Sequence, residues 1–141
     1  MFSFIKSHKL ILFLLFLNLM ATGAGMGVPI FNIILGFIFG HYIGKSITGI
    51  SAIRIKKLFQ QGFLITAMTF IMMLVIWLPA LKWITDPQLD VANFGHPFFL
   101  YDPLISFIGW IALMILISPL LQLLAIVFTG VIAIIYTRSD E

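Results

Sequence analysis

Thirty-five consecutive residues between Lys9 and Lys45 contain no Asp, Glu, Lys or Arg, and two more long apolar stretches follow. A chain of 141 residues has no interior large enough to hide all three, because surface-to-volume scaling limits what a small fold can bury. A lipid bilayer removes the difficulty. The sequence therefore predicts an all-α, polytopic integral membrane protein. Hydrophobic residues make up 62% of the chain and charged residues 9%, against roughly 45–50% and about 25% in soluble domains. One membrane domain over residues 1–141 is expected, with no room for a soluble second one.

Four spans are expected, at about 4–22, 28–44, 62–84 and 104–136. The third would cover about 34 Å at 1.5 Å per residue, enough for a hydrocarbon core of about 30 Å. Residues 10–44 as a single helix would extend about 52 Å, beyond what tilt absorbs. Gly23, Gly25, Gly27 and Pro29 favour a break there, since Gly weakens a helix and Pro suits its first turn. Two antiparallel spans joined by a tight turn at Gly23–Gly27 follow. The fourth stretch is about 50 Å as one helix. Pro119 near its middle predicts a kink in one long tilted helix rather than two short crossings. A cleaved signal peptide is the alternative for the first segment, with Lys6, His8 and Lys9 ahead of an apolar run and Ala21–Ala24 as the cleavage site. Against it, the next apolar span would start only a few residues after the cut.

With four spans, both termini and an inner loop over 45–61 share one side. That side carries Lys6, Lys9, Lys45, Arg54, Lys56, Lys57 and Arg138, seven of the eight basic residues. Cytoplasmic loops attract Lys and Arg, so the expected orientation is N-in, C-in, which suggests a prokaryotic plasma membrane. The net charge of +3 is then a topology signal rather than a nucleic-acid footprint. Trp77, Trp83, Phe98, Phe99, Tyr101 and Trp110 form an outer aromatic belt, and Tyr42 and Tyr136 mark the inner boundary. Arg54, Lys56 and Lys57 are candidate contacts for anionic lipid, although fixing topology already accounts for them.

Asn32, Gly36, Gly40 and Gly44 recur every four residues and would form one ridge with little side-chain bulk. Ser118, Gln122, Ala125, Thr129 and Ala133 give a second small or weakly polar face on the last span. These two faces are expected to pack together, with Gln122 bonding an amide, hydroxyl or carbonyl. A second copy of the chain is the other candidate partner for the ridge.

The absence of cysteine removes disulfides, thiolate metal sites and Cys nucleophiles. The spans contain no interior carboxylate or basic side chain, which is where intramembrane function usually resides. Asn18, Asn32, His41 and Gln122 are the candidates for a weakly polar path; Asn18 and Asn32 would bond each other or line a pocket near the glycine turn. His41 serves there either as a neutral hydrogen-bonding group or as a proton relay, the relay lacking any carboxylate partner. The outer loop, 85–103, holds Asp86, Asp90, His96 and Asp102, a possible ligand set without the spacing of a known metal motif. Asp86-Pro87 and Asp102-Pro103 read as helix starts instead. No Ser/His/acid constellation is present, and no cofactor is implied.

Three functions are therefore expected, in this order. The first is a non-enzymatic membrane protein working through helix packing, as a homo-oligomer or a subunit of a larger membrane assembly. The second is a small homo-oligomeric transporter or channel using the weakly polar path. The third is a membrane-embedded enzyme built on the outer loop.

Overall fold

The computed structural model describes residues 2–24, 29–48, 51–82 and 103–139. Among them there are four helices and no strand. Helix α1 is Phe2–Ala24, α2 is Pro29–Ser46, and α3 is Ser51–Trp77, continued by a 3₁₀ turn at Leu78–Leu81. Helix α4 opens as Pro103–Ala112, passes through a π turn at Leu113–Ile117 and continues as Ser118–Ser139. Helices α2 and α4 each begin on a proline, where the missing N–H removes no intrahelical bond.

Two segments, Ala52–Leu81 and Phe107–Thr137, are long and apolar enough to cross a membrane, and Lys9–Ala24 is a shorter apolar helix. Residues 103–139 form one helical run, not two crossings. The disturbance at Pro119 is met by the π turn, in which the Ser118 N–H donates to the carbonyl of Leu113 five residues back.

The inner loop expected over 45–61 is largely helix. Helix α3 begins at Ser51, eleven residues before the apolar run that marked the expected span. Lys, Arg, Leu and Gln are good helix formers, so the helix outlasts its own hydrophobicity. Its buried stripe carries no apolar periodicity. The residues turned inward are Arg54, Leu58, Gly62, Ile65, Thr66, Thr69 and Met73, while Ile53, Ile55, Phe59, Phe63 and Leu64 face outward. What packs is small or polar as often as it is apolar.

Contacts fix the helix directions. Successive positions Gly36, Gly40 and Gly44 on α2 meet increasing positions on α4, so these helices run parallel. On α3 the order reverses, with Leu58 against Gly130 and Gly62 against Ile126. Asn18 of α1 bonds Gln122 of α4, and Thr22 reaches the level of Ser118 through Asn32, so α1 runs antiparallel to α4. The four helices therefore alternate in direction, which brings the starts of α1 and α3 and the ends of α2 and α4 to one end. Lys9, Lys45, Arg54, Lys56 and Lys57 lie at that end and Lys82 at the other.

Candidate functional site

The half of the bundle nearer the basic end is held by a seam of small residues. A Cβ on Gly40 would collide with Thr129 Oγ1 and the Ile126 carbonyl oxygen. On Gly36 it would meet the Gln122 carbonyl oxygen at 2.8 Å and Ala125 Cβ at 3.0 Å; on Gly44, the Gly130 carbonyl oxygen at 2.5 Å. Backbone lies against backbone here, as only glycine permits. The Thr129 hydroxyl, 2.9 Å from the carbonyl oxygen of Phe37 and 2.8 Å from that of Ala125, shares its proton between the two helices. The Asn32–Gly44 ridge and the Ser118–Thr129 face thus meet within one chain.

Beyond the seam, two polar layers lie one helical turn apart. In the first, Asn18 Nδ2 donates to Thr69 Oγ1 (2.8 Å), Thr69 Oγ1 donates to Gln122 Oε1 (2.7 Å), and Gln122 Nε2 donates to Asn18 Oδ1 (2.8 Å). This is a closed ring of three donors and three acceptors, all running in one sense, drawn from α1, α3 and α4. The second Asn18 amide proton reaches the Ile65 carbonyl oxygen at 3.4 Å. In the second layer Thr22 Oγ1 donates to Asn32 Oδ1 (3.1 Å), and Asn32 Nδ2 donates to Ser118 Oγ (3.4 Å). The spacing explains the stacking. Asn18 and Thr22 are four residues apart on α1, as are Ser118 and Gln122 on α4, so each pair shares a helix face. Because α1 and α4 are antiparallel, Asn18 meets Gln122 while Thr22 lies level with Ser118.

All six side chains are buried, Asn18 and Gln122 at 0% exposure. Their environment is apolar: Phe39, Ile65 and Ile126 fill the core on one side, and Met73, Phe107, Ile111 and Ile115 form a second cluster towards the other end. In such surroundings an unpaired amide is strongly unfavourable, whereas a satisfied network specifies which helices meet.

The expected polar path is only partly assembled. Asn18, Asn32 and Gln122 are brought into adjacent layers, but Asn18 and Asn32 do not bond each other, each being taken by other partners. His41 is not with them. It lies on the exposed side of α2, its ring edge-on to Tyr42 with centroids 5.9 Å apart, because it is one residue past Gly40 and so about 100° round the helix. Asp86, Asp90, His96 and Asp102 lie outside the described residues. Thr22 and Thr69 are network members that sequence reading passed over. The available signal was the i, i+4 relation of Thr22 to Asn18, which repeats the relation of Ser118 to Gln122.

Two open grooves flank α4. One, of about 430 Å³, is lined by Ile33, Phe37, Leu121, Leu124, Ala125 and Phe128. The other, of about 250 Å³, lies between Phe63, Ala67 and Phe70 on α3 and Leu120 and Leu123 on α4. None of the six network residues lines either groove. Compared with protein families, characterised proteins and solved structures, the chain matches none.

Proposed function

We propose that the chain is a multi-pass integral membrane protein whose four helices all cross the bilayer, with the basic end and both termini in the cytoplasm. One observation carries the reading: the polarity of the bundle is inverted. Asn18 and Gln122 are fully buried, while Phe128, Ile135 and Leu12 are 62%, 63% and 65% exposed. Contiguous apolar surface on this scale requires a cover, and lipid provides one along every helix. The alternation of helix directions supports the orientation, because it collects the described basic residues other than Lys82 at one end. Trp77 and Trp110 near the opposite end, and Tyr42 and Tyr136 near the basic one, suit the two interfaces.

Within that membrane the protein works through helix packing, as a subunit or accessory of a larger assembly. The polar groups are consumed in holding the bundle together, and the outer faces of α2 and α4 remain for partners. Reporter fusions at each terminus and beside Asn93 test the topology: termini on the cytoplasmic side and Asn93 outside are expected. Crosslinking in native membranes, followed by identification of what is captured, tests the assembly role. A protein that remains monomeric and partnerless under all conditions would refute that role.

A second reading is a small homo-oligomeric transporter. The observation favouring it is the pair of polar layers reaching all four helices, which would have to open for a solute to pass. Flux into vesicles that is abolished by Asn18→Leu without loss of folding would establish it over the first.

A further inference from the structure

Arg54, in the first turns of α3, is 8% exposed, and its Nε is buried without a hydrogen-bond partner. A guanidinium is always charged and carries five donors and no acceptor, so a buried one needs an anion. Arg54 is the fourth residue of α3 and lies on its inward stripe, one turn before Leu58, in the part of a helix where long side chains lean towards the N-terminus. The first four N–H groups of a helix have no intrahelical acceptor, and this end of the dipole is positive. The first turn of α3 contains no acidic residue, and no carboxylate occurs among the residues whose side chains are described. Lys57, three residues further along, and Lys45, in the last turn of α2, add two exposed cations to the same end.

We propose that Arg54, together with the leading N–H groups of α3, binds a phosphate group. The planar guanidinium fork matches phosphate oxygens bidentately, and helix N-termini receive the same anion. Two sources share that chemistry, an anionic lipid headgroup and free phosphate. The lipid source rests on the orientation proposed above, which would set Arg54 at the cytoplasmic boundary; the phosphate chemistry does not.

The test uses the purified full-length chain in uncharged detergent. Micelles are doped with phosphatidic acid or with diacylglycerol, the same lipid without phosphate, and inorganic phosphate is added separately. Phosphatidic acid should bind and raise the melting midpoint, and diacylglycerol should not. Arg54→Gln should weaken phosphatidic acid binding roughly tenfold. Arg54→Lys, which keeps the charge but loses the fork, should weaken it less and guards against a glutamine variant that fails to fold. Lys82→Gln, at the opposite end of the bundle, should bind as the unmodified protein does. Competition by inorganic phosphate at millimolar concentration would identify the soluble ion as ligand; its failure to compete would identify the headgroup. Absence of any gain from both probes overturns the proposal, as does undiminished binding in both Arg54 variants. Because micelle binding does not depend on which way the chain faces, it stands or falls separately from the reporter fusions.

Discussion

The side-chain amide of Gln122 donates to Asn18 Oδ1 at 2.8 Å, joining residues 104 positions apart in the chain. Thr69 closes the ring between them, and all three side chains are inaccessible. Removing one member leaves the others with unanswered donors or acceptors in apolar surroundings. Asn18→Leu and Gln122→Leu should each destabilise the bundle by about 1–3 kcal/mol, measured by reversible unfolding in mixed micelles. The double variant should be less harmful than the sum of the two, by about 0.6–1.7 kcal/mol if the bond behaves as others in bilayers do. Strict additivity would mean that the ring is not energetically coupled.

The two polar layers should differ in strength. Thr69 both accepts from Asn18 and donates to Gln122 at short distances, so Thr69→Val removes two good bonds and should cost about 1–2 kcal/mol. Ser118 accepts one 3.4 Å contact from Asn32, and Ser118→Ala should cost less than about 0.6 kcal/mol. Thermal melts of the two variants side by side decide it, and the reverse order would contradict the geometry.

Among the glycines, sensitivity should follow what a methyl group would strike. At Gly40 it would strike the Ile126 carbonyl oxygen and the Thr129 hydroxyl. Backbone cannot move aside without separating α2 from α4, so Gly40→Ala should cost about 3 kcal/mol, the upper end of ordinary overpacking. At Gly23 nothing lies within 4 Å, and Gly23→Ala should leave the melting midpoint unchanged or slightly raised. Gly62→Ala falls between, because its nearest neighbour is an Ile126 methyl at 3.0 Å. Equal effects at Gly23 and Gly40 would show that the seam is not tightly closed.

The chain has no cysteine, so single cysteines report without background. On the proposed topology Lys56→Cys should react with a membrane-impermeant maleimide only when the cytoplasmic face is accessible. Phe128→Cys should stay unreactive in vesicles although the side chain is 62% exposed on the bundle, because lipid would cover it. Rapid labelling of both positions from solution would remove the bilayer from the account.

Helix content was legible wherever a signal is local. The proline starts of α2 and α4, the four-residue recurrence of Gly36, Gly40 and Gly44, and the long run through Pro119 can all be read one helix at a time. The start of α3 was not legible from hydropathy. Arg54, Lys56 and Lys57 look like loop to a polarity scale, yet their helix propensity carries the turn pattern down to Ser51. The π turn at Leu113–Ile117 was likewise unmarked beyond the proline that follows it.

By itself the sequence determined which stretches are apolar and which face of α2 is small, because each of these depends on residue type and a fixed 3.6-residue period. Only the tertiary structure decided who meets whom. Asn18 and Asn32, equally plausible partners on paper, are separated into different layers. The antiparallel register of α1 against α4 set those pairings, and register is a property of two surfaces fitted together. It is absent from either helix alone, which is why Thr22 and Thr69 acquired their roles only once four helices were packed.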